Sequence, residues 1–136
     1  MDTFFEVNGV SVDSSQRPIV LVRYPPSFDA TSYRKLFEHY AELAAEGRPI
    51  AWLVDFTAFN PVTASASLRK EAAVVFEEYL DVLEPVSICE ARVVASGVAR
   101  GILTAFDWLT GSKWPTVNVS SFEEAHAFID DHLKSR

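Results

Sequence analysis

The stretch from Pro49 to Leu83 constrains the fold more than any other. It reads Pro49-Ile50-Ala51-Trp52-Leu53-Val54-Asp55, then a polar turn, then a long amphipathic segment that Pro85 stops. A near-continuous apolar run closed by an acid describes a strand buried on both faces, as in a parallel sheet covered by helices. The turn Phe59-Asn60-Pro61-Val62-Thr63 offers two helix starts: Asn60 as cap with Pro61 at the first helical position, or Thr63 as cap. Either way, the carboxyl end of a buried strand feeds a helix N-terminus, the place where open α/β sheets commonly bind ligands.

The flanking chain repeats this alternation. Phe4 to Asp13 alternates around Asn8-Gly9, the signal of a two-residue type I′ hairpin. Residues Ser14 to Pro18 read as a loop, and Ile19 to Tyr24 as a mostly buried strand ended by Pro25-Pro26. Asp29 caps a helix whose inward stripe is Tyr33, Leu36, Phe37, Tyr40, Leu43 and Ala44, with Gly47 just past its end. The second helix carries Leu68, Ala72, Val75, Phe76, Tyr79, Leu80 and Leu83 inward. Ile88 to Ala95 is a less pure buried strand, interrupted by Glu90 and Arg92. A third helix follows with Val98, Ile102, Ala105, Phe106 and Leu109 inward, ended by Gly111. Trp114 to Val119 is a short strand. Ser121 and Glu124 form a capping box for a last helix that buries Phe122, Ala125, Phe128, Ile129 and Leu133.

Strands alternating with helices imply right-handed parallel crossovers. The expected fold is therefore α/β: a small mixed, mostly parallel sheet with an antiparallel N-terminal hairpin and four helices, in a single domain over residues 1–136. The net charge of −7 opposes nucleic-acid phosphates and anionic membrane surfaces alike. No apolar run approaches the ~20 residues of a transmembrane helix, and the N-terminus lacks a signal-peptide pattern, so a cytoplasmic protein is expected. The single Cys89 permits no internal disulfide, in keeping with that compartment.

Chemistry-bearing residues are few. Thr63, Ser65 and Ser67 crowd the start of the second helix, either as caps or as a phosphoacceptor or anion site aided by the helix dipole. Arg100 falls in the first turn of the third helix, where the dipole disfavours a cation. It points either to an anionic partner or to a plain solvated arginine. In a parallel sheet, Asp55–Thr63 and Ser96–Arg100 emerge at one pole, so Thr57, Thr63, Ser65, Ser96 and Arg100 are the candidate partner-binding residues there. Trp108, off its helix stripe, marks an alternative surface, whereas Trp114 suits burial. His39, His126 and His132 lack metal-ligand spacing, and Cys89 packs as a small hydrophobe. The pairs Glu77-Glu78, Glu123-Glu124 and Asp130-Asp131 sit on polar helix faces. No catalytic, metal or cofactor constellation is expected.

Four local patterns, taken in order, resemble the STAS domain family, the bacterial anti-sigma-factor antagonists of the SpoIIAA type. They are Ile19–Tyr24 with Phe28-Asp29-Ala30-Thr31, Leu53-Val54-Asp55 through Thr63, Val98-Ala99-Arg100-Gly101-Ile102-Leu103, and Val119 through Glu123-Glu124-Ala125. The resemblance implies a non-enzymatic signalling or regulatory module acting through protein contact with an anti-sigma factor, kinase-like protein or other partner, with a homodimer as a further option. In some members a Ser at the start of the second helix is phosphorylated. The corresponding Asn60 to Ser65 segment here reads Asn-Pro-Val-Thr-Ala-Ser, without the family's acid and glycine.

The alternative class is a carrier of small or lipid ligands of the SEC14-like kind, suggested by ten Phe in 136 residues. A small enzyme is the third. A closed core favours the protein-binding module, and an apolar cavity of roughly several hundred Å³ favours the carrier.

Overall fold

Asn8 and Gly9 both have positive φ, 47° and 90°, the backbone that a type I′ turn requires. They join β1 (Phe4–Val7) to β2 (Val10–Gln16) with Val7 opposite Val10. The computed structural model describes residues 3–60, 64–111 and 113–135, and only the backbone of residues 108–110. Residues Ser14 to Gln16, expected as loop, continue β2. Serine is a poor strand former, but the Ser14 N–H donates to the Thr3 carbonyl at 2.8 Å and Gln16 pairs with Ile19. Ladder bonds override the local preference there.

β3 (Ile19–Arg23) runs antiparallel to β2 and parallel to β4 (Ile50–Phe56), from Ile19 opposite Ala51 to Arg23 opposite Asp55. β5 (Ser87–Val94) and β6 (Thr116–Val119) extend the parallel part, giving the sheet order β1-β2-β3-β4-β5-β6. The expected mixed sheet is present, with β4 inside it.

Neighbouring parallel strands joined in sequence order place their crossover helices on one face when every crossover is right-handed. α1 (Ala30–Ala45), α2 (Ala66–Leu83) and α3 (Gly97–Thr110) therefore share a face. Leu36, Phe37, Val75, Phe76 and Leu103 pack there on Val20, Val22, Trp52 and Val54. α4 (Phe122–Lys134) returns across the other face, where Ala125 and Ile129 meet Ala51, Leu53, Cys89, Ala91 and Val93. Both faces of β4 are thus covered, which is why its sequence is apolar without alternation.

Helix ends follow local chemistry. Asp29 Oδ1 accepts from the Ser32 N–H at 2.7 Å, and Gly47 closes α1 with φ 73°. α2 departs from expectation: it starts at Ala66, with Ser65 as cap accepting from the Leu68 N–H at 3.0 Å. Asn60 instead donates its backbone N–H to the Pro26 carbonyl, holding it in the loop. Pro61, Val62 and Thr63 lie outside the described residues.

Two inward stripes also need correction. In α3 the buried line is Ala99 and Leu103, with Ile102 and Phe106 half-buried, while Val98 is 64 % exposed and Ala105 is exposed. The helix is rotated so that Asp107 meets Arg92 on β5. The Leu109 side chain lies outside the description. In α4, Ala125 and Ile129 set the inward line and Phe122 remains exposed. Ser121 caps this helix as expected, accepting from the Glu124 N–H, while the Glu124 carboxylate reaches Ser120.

Candidate functional site

Because β3, β4 and β5 are parallel, the segments that follow them leave at the same end of the sheet. Cross-links hold this pole together. The Tyr24 N–H donates to Asp55 O at 3.0 Å, and the Asn60 N–H to Pro26 O at 3.0 Å. An aromatic group sits between the loops: Tyr24 and Phe56 have ring centroids 4.5 Å apart, Phe28 and Phe59 5.3 Å, and Phe56 and Phe59 5.5 Å.

The three phenylalanines of this group form one wall of a pocket of about 70 Å³. Phe28, Phe56 and Phe59 come from the loops and β4, Leu68 and Ala72 from the first turns of α2, and Ile102, Leu103 and Phe106 from α3. Arg69 lies on its rim. Outside it, a shallow groove of about 500 Å³ separates α2 from α3, bordered by Arg69 and Lys70 on one side and Val98, Gly101 and Ala105 on the other. Arg69 and Lys70 are exposed and join no ion pair among the described residues. The acids nearest the pole are already engaged: Asp55 faces Arg23 at 3.6 Å, and Asp29 is occupied by its cap. Hydrogen bonds from Ser32 hold the Asp29 carboxyl below the usual carboxylate range.

The residues singled out from sequence are divided by the structure. Ser65 and Ser96 are exposed caps, their hydroxyl oxygens accepting from Leu68 and Ala99 N–H groups at 3.0 and 3.1 Å. Thr57 directs both its backbone N–H and its hydroxyl to Asp55 Oδ1, so its donors are turned inward on the loop. Arg100 lies on the flank of α3 facing β6, beside Thr104, Asp107 and Asn118, and not on the pocket. Thr63 is outside the described residues, as is the Trp108 side chain. The cations here are Arg69, which borders the pocket and the groove, and Lys70, which borders the groove alone; neither is among the residues singled out from sequence. Their signal was only an i, i+1 pair one turn after the cap. Phe28, Phe56 and Phe59 are legible as aromatics concentrated at or shortly after the ends of β3 and β4.

A second polar feature lies under α3. Arg92 Nε bonds Glu90, Arg92 Nη1 bonds Asp107, and Trp114 Nε1 donates to Glu90 Oε1 at 3.1 Å. Asn118 Nδ2 donates to Asp107 Oδ2 at 3.3 Å. Burial works against the Arg92 charge, but Glu90 and Asp107 outweigh it and raise its pKa above the ordinary arginine value. This network fixes the position of α3 on β5 and β6, although the buried Asn118 Oδ1 has no hydrogen-bond partner among the described residues. Burial pushes the hydroxyl pKa of Tyr24, Tyr33 and Tyr40 upward, and that of the Cys89 thiol up to about 11. Among the described residues, no cluster of His, Cys, Asp or Glu is placed to hold a metal ion, and no helix is long and apolar enough to cross a membrane.

No protein-family profile and no curated protein sequence matches this chain. By structure it is similar to an uncharacterized protein of the DUF3478 family from Shewanella loihica PV-4, described as having a SpoIIAA-like fold. The two share 11 % identity and a TM-score of 0.64 over 92 % of this chain and 98 % of the other. The chain has the SpoIIAA-like α/β fold.

Proposed function

We propose that this chain is a non-enzymatic signalling or regulatory module that works by binding a protein at the carboxyl pole of its sheet. The observation that carries this reading is the size of the aromatic pocket. At about 70 Å³ it falls well short of the roughly 300–1,000 Å³ of sites that enclose small-molecule ligands. It suits instead a contact surface with one apolar recess, the usual form of an interaction hot spot. The same volume weighs against a ligand enclosed in this recess, and the larger groove of about 500 Å³ beside it is shallow and open. The SpoIIAA-like fold is compatible with this role, and the resemblance to anti-sigma-factor antagonists makes an anti-sigma factor or kinase-like protein the first class to try.

The test is site-specific photo-crosslinking in cells, with the photoreactive residue placed at Val98 or Ala105 beside the pocket, or at Val82, an exposed position elsewhere on α2. The expected result is a discrete protein adduct from the first two positions and none from Val82. Adducts from Val82 alone would move the working surface away from the pole.

A further inference from the structure

The groove between α2 and α3 carries its own specification of what fits it. Its α3 bank is apolar and open: Val98 is 64 % exposed, and Gly101 and Ala105 are too small to hold a partner backbone away. Its α2 bank is basic, with Arg69 and Lys70 exposed and unpaired among the described residues. Glu71 lies on the opposite flank of α2, with Arg34 and Val74, and so does not neutralise that bank. Ile102 and Phe106 line both the groove and the pocket, so the two form one continuous depression.

Charge and volume then narrow the occupant. On a protein of net charge −7, two adjacent unpaired cations beside an apolar trough favour a partner that is locally acidic, through both encounter rate and register. A cavity of roughly 150 Å³ is what benzene occupies, so a pocket of about 70 Å³ accepts the tip of a single aliphatic side chain and not an acyl chain. An apolar trough between two helices with a recess in its floor is a surface on which an amphipathic helix lays its apolar face.

We propose that this groove binds an acidic amphipathic helix of a partner protein. One Leu or Met side chain enters the pocket lined by Phe28, Phe59 and Phe106, and flanking carboxylates pair with Arg69 and Lys70. The proposal rests on the protein-binding reading above and adds the chemistry of the partner.

It is tested on the nitrogen-15-labelled 136-residue chain by titration with a synthetic helical peptide bearing a Leu stripe flanked by Glu. Two counterpart peptides have Glu replaced by Lys, or the Leu anchors replaced by Ala. The expected result is a set of amide shifts at Phe59, Leu68, Val98 and Phe106 with the acidic peptide, with affinity falling about tenfold or more for either counterpart. The surface variant Arg69→Glu/Lys70→Glu keeps the native spectrum, loses the acidic peptide and accepts the Lys peptide.

Equal binding of the acidic and basic peptides in the groove would overturn the charge assignment while leaving the pole reading intact. Absence of groove shifts while Val98 still crosslinks a protein in cells would overturn this proposal alone. Shifts produced by dodecanoate and by no peptide would overturn it in favour of a small amphiphile. Failure of the pole reading is seen separately, as crosslinks confined to Val82.

Discussion

The guanidinium of Arg92 on β5 is joined directly to the carboxylate of Asp107 on α3, with only 6 % and 18 % of their side chains exposed. Glu90, two residues before Arg92 on the same face of the strand, takes its Nε. Arg92→Met should therefore leave two carboxylates facing each other in a largely dry site and cost ~3–5 kcal/mol, the usual penalty for breaking a buried pair from one side. The triple replacement Glu90→Gln, Arg92→Met, Asp107→Asn should recover much of that loss, since apolar or neutral substitutes for a whole buried set are often tolerated. Urea unfolding of the two variants checks it. Equal loss in both would mean that packing, not charge, sets the cost.

Ser65 should behave as a helix cap whatever else it does. Ser65→Ala removes the acceptor for the Leu68 N–H and should lower stability by ~0.5–2 kcal/mol, while Ser65→Asp should be close to neutral because aspartate caps equally well. Thermal unfolding reports both. If the start of α2 is also a phosphoacceptor, a cognate kinase should lose incorporation on Thr63→Ala or Ser65→Ala, and incorporation unchanged in both variants would assign the segment to capping alone.

The Cys89 side chain is fully buried on β5, and burial raises its thiol pKa to about 11, above the ~8.5 of an unfolded cysteine. A raised folded value favours the neutral thiol. The associated stability is complete below the unfolded pKa and is lost as the pH climbs from about 8.5 toward 11. The native protein should give no colour with Ellman's reagent at neutral to mildly alkaline pH, and one equivalent per chain after denaturation. Rapid reaction of the native protein near neutrality would contradict this burial.

At the β1–β2 turn, Gly9 has φ 90° and a Cβ placed there would lie 3.1 Å from Pro25 Cβ. Gly9→Ala should cost about 1 kcal/mol or more, from the positive φ together with that contact. Asn8→Ala should also destabilise, since Asn8 Nδ2 donates to the buried Ser32 Oγ at 2.7 Å and ties the hairpin to α1. Differential scanning calorimetry on each variant checks the pair. A melting temperature unchanged by Gly9→Ala would mean that the turn has shifted type.

Most of the fold was readable because its signals are local. The unbroken apolar run Ile50–Val54, the Asn8-Gly9 pair, Asp29, Ser121 and the glycines after α1 and α3 each specify their own few residues of backbone. The errors have a common cause. Ser14 to Gln16 became strand through ladder bonds to Thr3 and Ile19, and the α3 stripe turned by one position so that Asp107 could reach Arg92. Both depend on partners distant in the chain. Glu90 and Arg92 read as impurities in a strand because nothing near them in sequence shows that Asp107, Trp114 and Asn118 complete their bonding.

The sequence by itself determined that alternating strands and helices build a mixed α/β sheet whose parallel strands end at one pole, since hydrophobic period and end-capping are properties of short segments. Tertiary structure alone decided what that pole contains. It assembled Phe28, Phe56, Phe59 and Phe106 into a pocket, set Arg69 on its rim and Lys70 on the adjoining groove, and carried Arg100 to the far flank of α3. The physical reason is that a helix presents only one line of residues to any neighbour. Its rotation is fixed by packing and buried charge pairs that form only once the chain has closed on itself.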